Sequence, residues 1–136
     1  MRAPAVDIAE YLQTNGVGII GSPTGWSIWV GQERAPKAGA VPSTTITLYD
    51  LPGEEPLYSS GIEHPAIQVR VRGSPGGYEA AYAKAVQIRD LLTGWSFFVG
   101  SMAYDGWIEG DVGHLGQDDG ERPIFVATYR LQRSEL

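Results

Sequence analysis

The chain has 136 residues, no cysteine and a formal net charge of −6, which predicts a single domain over residues 1–136 and excludes disulfides, thiolate metal sites and a cysteine nucleophile. Ten Lys and Arg residues against sixteen Asp and Glu residues argue against a protein that grips nucleic acid electrostatically, because such proteins are usually basic. Asp7 and Glu10 interrupt the apolar stretch that a secretory signal needs, and the uncharged runs are too short for a bilayer. We therefore expect a protein of a cytoplasm that does not associate with membranes.

The first part of the chain predicts one helix and two strands. Apolar residues at helical spacing predict a helix over 4–14, and residues 17–21 form a short apolar stretch between glycines. Alternation predicts strands over 26–32 and 44–49, which we expect to pair as a long hairpin. Residues 31–44 would then be a flexible hairpin arm that orders on contact with a partner.

The middle of the chain predicts a loop, a strand and a second helix. Proline and glycine predict a loop over 50–64. Residues 66–72 alternate strictly, so they predict a strand with a polar face of Gln68, Arg70 and Arg72. A glycine-rich turn then leads into a helix over 77–93 with one apolar stripe.

The last part of the chain predicts further strands over 95–99 and 106–112, joined near 102–105, and a polar loop over 113–122. The apolar run within 123–131 is typical of a central strand covered on both faces, and 132–136 is a short polar tail. This order predicts an α+β fold in which two helices pack on one mostly antiparallel sheet of four to six strands.

One turn has the composition of a phosphate-binding site. Residues 73–77 follow a strand and open a helix, where backbone amides are able to hold a phosphate. However, the following residues lack both the Lys-Ser/Thr pair and the full dinucleotide glycine pattern. A tight turn is the favoured interpretation, and a small-molecule or nucleotide-binding module using this turn is an alternative.

The sequence contains no pattern typical of catalysis or metal binding. Six carboxylates lie from Asp105 to Glu121, but their spacing differs from that of a calcium loop. No serine lies in a nucleophile elbow, and the chain has two histidines. We therefore expect no enzyme activity, no cofactor and no metal site.

Four residues are candidates for an interface with another subunit or a partner. Trp26 and Trp29 would face opposite sides of a strand, so one of them lies outside the core and must be covered by another element or another chain, or stand exposed. We choose Trp29 as the candidate interface residue. Gln68, Arg70 and Arg72 share one strand face, and Arg is favoured at interfaces. The alternative is a solvated face, or arginines paired with carboxylates of neighbouring residues.

Three segments of the chain resemble the phage minor capsid proteins of the tail-terminator, or tail-to-head joining, family of long-tailed phages. They are Ile62-Glu63-His64-Pro65-Ala66-Ile67-Gln68-Val69-Arg70-Val71-Arg72-Gly73, Gly77-Tyr78-Glu79-Ala80-Ala81-Tyr82 and Asp111-Val112-Gly113-His114-Leu115-Gly116-Gln117-Asp118-Asp119. The resemblance covers most of the chain, and residues 31–61 are its least distinctive part. The layout is similar to that of lambda-type terminators.

The resemblance implies a structural protein of the virion tail–neck region, assembled in the bacterial host cytoplasm. It implies a hexameric ring that caps the tail tube at full length and joins it to the head–tail connector or stopper protein. Genomic DNA would pass through the ring lumen without specific binding. Another neck component, such as a stopper or connector protein, is an alternative with a similar small α+β body.

A ring of this kind makes two demands on the surface of one subunit. Each subunit must present one patch to the next subunit and a different patch to the previous one. A channel wall that carries carboxylates repels the phosphates of passing DNA. We therefore expect four acids to face the lumen, namely Glu109, Asp111, Asp118 and Asp119.

Overall fold

The computed structural model describes residues 2–57 and 61–135. In chain order the elements are α1 (Pro4–Thr14), β1 (Ile19–Ile20), β2 (Ser27–Val30), β3 (Thr45–Leu57), β4 (Ile62–Arg72), α2 (Tyr78–Thr93), β5 (Phe97–Val99), β6 (Met102–Gln117) and β7 (Pro123–Glu135). The strands of this described part form one sheet in the order β1-β2-β3-β4-β7-β6-β5.

Both helices pack on the same face of the sheet, here called the inner face. Helix α1 contacts β1 and β2 near one edge of the sheet and β5 at the other, so the sheet curls around it as a half-barrel. The predicted α+β class with two helices is confirmed. The sheet is larger and more mixed than predicted, because it has seven strands and its first three run parallel.

The predicted hairpin between the first two long strands is wrong. Strands β2 and β3 pair in parallel, with Ser27 beside Thr45 and Val30 beside Leu48. A parallel pair needs a connection of a dozen or more residues that returns the chain to the starting edge, and residues 31–44 supply it. We call this segment the crossover.

Two segments predicted as loops extend strands instead. Strands β3 and β4 form a long hairpin through most of 50–64, and β6 continues through 113–117. Pro52, which suggested a loop, falls at a register shift in β3, and Gly110, with φ of 75°, falls at one in β6 shortly before the segment predicted as a polar loop. The β5–β6 turn lies at Gly100 and Ser101, and β7 includes the predicted polar tail up to Glu135.

The hydrophobic core lies between the inner face and the two helices. Strand β7 is central, between β4 and β6, as predicted, but the prediction that both of its faces are covered is wrong. Its inner-face residues are buried, whereas the alternating residues Val126, Thr128 and Arg130 on the opposite, outer face are only partly covered. The core includes Ile8, Leu12, Ile28, Ile46, Leu48, Ile67, Val69, Val71, Ile88, Leu92, Tyr104, Phe125, Tyr129 and Leu131.

Within residues 2–57 and 61–135, neither helix is both long enough and apolar enough to cross a bilayer.

Candidate assembly surface

The crossover lies on the outer face and is anchored there by Arg72. The guanidinium of Arg72 is 4% exposed and donates hydrogen bonds to the carbonyl oxygens of Arg34, Pro42 and Ser43 at 2.8, 3.2 and 2.9 Å. Burial lowers the pKa of Arg72, against the opposing effect of the nearby Glu33 carboxylate. Arg72, predicted as an interface residue, is therefore committed to contacts within its own chain.

Trp29 lies in β2, two residues before the crossover begins. Its neighbour Ile28 is fully buried in the core, so Trp29 points to the outer face. The guanidinium of Arg34 lies 5.1 Å from the centre of the Trp29 ring. The amide of Glu33 donates to the hydroxyl of Tyr49 at 3.0 Å, which fixes the crossover beside this ring.

Trp29 and Arg70 come together in one row across three strands. Trp29 pairs with Thr47, and Thr47 pairs with Arg70, so β2, β3 and β4 each contribute one outer-face side chain. We call Trp29, Thr47 and Arg70 the central row. Gln68 lies two positions along β4, opposite Tyr49 and Thr128. Thus three of the four predicted interface residues adjoin one another, and Thr47 was missed because the parallel pairing was not foreseen.

The remaining half of the outer face, over β5, β6 and the end of β7, carries exposed aromatic side chains. Phe98 is 59% exposed and Trp107 is 49% exposed. Nearby, Arg130 pairs with Glu109 at 3.4 Å. We call this surface the open half. Sequence analysis did not select Trp107, although it shares an alternating register with Glu109 and therefore with the solvent side.

The four acids predicted to face a lumen do not form one cluster. Glu109 lies on the outer face, whereas Asp111 lies in the β6 irregularity and pairs with Arg89 of α2 at 3.2 Å. The amide of Val112 and then Arg89 lower the pKa of the Asp111 carboxyl. Their exposure to a channel stays a prediction.

The other two acids belong to the turn between β6 and β7. Asp118 accepts hydrogen bonds from the amides of Gly120 and Arg122 at 2.9 and 3.0 Å, so it shapes the turn. Asp119 is exposed beside it. Among the residues that the structure describes, no three His, Asp or Glu side chains are grouped so that they could hold a metal ion.

The turn at 73–77 uses several of its amides internally. The amides of Gly73, Gly76 and Gly77 donate to the carbonyl oxygens of Pro123, Glu121 and Ser74 at 2.9, 3.3 and 2.8 Å. These three amides are therefore not available to a phosphate. This geometry favours the interpretation of the segment as a packed turn.

A polar cluster ties the two ends of the chain together on the inner side. Tyr104 donates to Asp7, and Arg133 donates to Tyr104, to Glu63 and to the carbonyl oxygen of Arg2. Asp7 is 2% exposed and Arg133 is 6% exposed. No spacing rule finds this cluster from sequence, because its members are distant along the chain.

The chain was compared with known protein families and with curated proteins. A family model described as "Bacteriophage tail terminator protein" matches residues 11–135, which includes every strand described above. No curated protein matches the chain.

Proposed function

The chain belongs to the bacteriophage tail terminator family, and we propose that copies of it form a hexameric ring that caps the tail tube, ends tail growth and joins the tail to the head–tail connector. Family membership makes the protein a structural component of the phage tail. The ring, the passage of DNA through its lumen, assembly in the host cytoplasm and the lack of catalysis belong to the proposal.

The open half of the outer face is the observation that supports assembly most directly. A solvated antiparallel face normally carries polar residues, but here Phe98 and Trp107 project from it. Exposed aromatic patches with a polar rim are typical of protein interaction sites. The salt bridge between Arg130 and Glu109 supplies such a rim.

The outer face also offers the two different patches that a ring requires. The crossover and the central row lie at the β2–β4 side, whereas the exposed aromatic residues lie at the β5–β6 side. Subunits that contact one another through two unlike patches form closed rings when the rotation closes. This arrangement supports a ring rather than a two-fold dimer.

Tail length and head joining test the proposal in one complementation experiment. Phage that lack this gene should make overlong tails without heads, and the wild-type protein should restore one tail length and joined particles. If tails keep their normal length without the protein and only head joining fails, the chain is a stopper or connector. Electron microscopy of intact particles then locates the density.

The aromatic surface is tested by Trp107→Ser in the same assay. We expect a folded subunit that no longer caps tails, because the substitution removes apolar area without disturbing the core. Leu115→Ser is the matched control, since Leu115 is 58% exposed elsewhere on β6. If the Trp107 variant caps tails as well as the wild type does, the open half is not an assembly surface.

A further inference from the structure

Five buried polar atoms lack a hydrogen-bond partner within residues 2–57 and 61–135, and all lie on the outer face of β2, β3 and β4. They are Ser27 Oγ, Trp29 Nε1, Thr45 Oγ1, Thr47 Oγ1 and Arg70 Nε. A buried polar group without a partner costs about 1–3 kcal/mol, and native proteins keep few of them. They are concentrated in one polar layer, which is partly exposed at Trp29 and Arg70.

The central row contains three of these atoms, and all three are able to donate. The indole N–H of Trp29 and the Nε–H of Arg70 are donors only, and the Thr47 hydroxyl donates as well as accepts. Adjacent strands lie about 4.8 Å apart, so the three residues that carry these donors are neighbours in one row. A carboxylate fits this set, since it carries two oxygens with several acceptor sites and binds guanidinium groups strongly.

The nearby carboxylate of Glu33, in the crossover, does not form hydrogen bonds with these donors. Glu33 Oε2 lies 3.8 Å from Arg70 Nη2, and Glu33 Oε1 lies 4.0 Å from Arg72 Nη1. Both distances are beyond a hydrogen bond. Glu33 therefore attracts the arginines but leaves Trp29 and Thr47 unpaired.

We propose that the central row binds a carboxylate from the β3–β4 hairpin of a neighbouring copy of this chain, in place of Glu33. This assignment rests on the proposed ring. Residues 50–63 contain four acids, Asp50, Glu54, Glu55 and Glu63, and no Lys or Arg. The hairpin is therefore complementary in charge to the row.

Among the hairpin acids whose side chains the structure describes, namely Asp50, Glu54 and Glu63, we assign the contact to Glu54. Asp50 accepts a hydrogen bond from the amide of Ala5, and Glu63 accepts one from Arg133, so both serve their own subunit. Glu54 is exposed at the register shift of β3.

The contact has to join two copies. Thr47 and Glu54 are seven positions apart on one strand, which is about 23 Å at 3.3 Å per residue. A Glu54 side chain is too short to cross that distance within its own subunit. Two ends of the same strand thus supply unlike patches, as a head-to-tail ring requires.

Charge exchange tests the pairing in the tail-capping assay. Arg70→Glu and Glu54→Arg should each abolish capping, and the double variant should restore at least a tenth of the capped tails made by the wild type. Glu79→Arg is the control, being an exposed charge on α2, away from the proposed contact. Failure of the double variant to restore capping, with both single variants folded, overturns the proposal.

A second pair of variants tests the unpaired hydroxyl without altering charge. Thr47→Val should keep or raise the urea midpoint and reduce capping, because it removes a buried donor that has no partner in the free subunit. Thr44→Val is the control, since the Thr44 hydroxyl donates to the carbonyl oxygen of Gly25 and its loss should lower the midpoint. A midpoint that falls equally in both variants overturns the proposal, because Thr47 then already has a partner.

The wild-type protein separates this inference from the function on which it depends. If the wild type caps tails and the charge exchange fails, the contact is wrong and the terminator function stands. If the wild type does not set tail length, the proposed function itself fails.

Discussion

The hydroxyl of Tyr104 donates a hydrogen bond of 2.5 Å to Asp7 Oδ2 and thereby joins β6 to α1 across 97 sequence positions. Arg133 of β7 approaches both groups, at 3.2 Å from the Tyr104 hydroxyl and 3.8 Å from Asp7 Oδ2. The contact places the first helix on the inner face. It also leaves three polar side chains dependent on one another in a buried place.

Tyr104→Phe should lower the free energy of unfolding by about 1–3 kcal/mol, because Asp7 loses a donor while it remains buried. Urea unfolding followed by circular dichroism measures the change. Tyr82→Phe serves as the control, since Tyr82 is 43% exposed on α2 and should change stability by less than about 0.5 kcal/mol. Equal stabilities for the two variants would contradict a structural role for the Tyr104 hydroxyl.

Stability should fall at alkaline pH through two buried tyrosines. Burial, and then the hydrogen bond to Asp7, raise the pKa of Tyr104, and burial raises the pKa of Tyr129. A phenol whose folded pKa lies above its unfolded value of about 10 stabilises the fold below that pH and loses this contribution as the pH rises further.

Absorbance at 295 nm and circular dichroism, recorded together from pH 9 upward, measure this effect. The phenolate signal that Tyr104→Phe and Tyr129→Phe remove should appear together with loss of the sheet signal. Ionisation of either tyrosine in a fully folded protein would refute the prediction.

Gly106→Ala should destabilise the subunit by about 2 kcal/mol or more, since a methyl group there would collide with the carbonyl oxygen of Leu92 in α2 and approach Leu131 Cδ2 to 3.1 Å. Gly113→Ala is a close control on the same strand, because its added carbon would lie 3.9 Å from the carbonyl oxygen of Val126, an ordinary contact. Urea midpoints distinguish the two. Equal tolerance of both substitutions would show that α2 shifts freely over β6.

Arg72→Gln should release the crossover, because the hydrogen bonds from Arg72 to three crossover carbonyls are lost and a charged hydrogen bond contributes about 1.5–3 kcal/mol. Hydrogen exchange measured by mass spectrometry should then become about tenfold faster over 31–44, while α2 stays protected. Lys37→Gln, at an exposed crossover position, provides the comparison. If the Arg72 variant leaves hydrogen exchange over 31–44 unchanged, Arg72 is not the residue that anchors the crossover.

The elements that sequence analysis located well are those with strong periodicity. The helix predicted over 4–14 matches α1, and the strand predicted over 66–72 lies within β4. In both, the apolar positions recur at the period of the element and face one core. Local pattern was enough because local pattern and burial agree there.

The errors concern how strands pair. Nothing within 26–49 distinguishes a hairpin from a parallel pair, since both strands show the same alternation. The crossover of the parallel pair is held by Arg72, which lies outside this segment. Pro52 suggested a loop, but it lies at an irregularity within a long strand, and the polar residues after 112 continue β6 to Gln117. The central row could not be predicted for the same reason, because Thr47 adjoins Trp29 only when β2 and β3 pair in parallel.

Strand β7 comes last of the seven described strands along the chain, yet it holds β4 and β6 together in the middle of the sheet. A nascent polypeptide that has left the ribosome only as far as residue 122 therefore contains two separate sheets with unpaired backbone between them. Folding is completed after translation has passed β7, through contacts between distant parts of the chain, which form slowly. An interrupted translation product would have no strand to hold β6 beside β4, so it could not present the open half and the central row together to the growing tail.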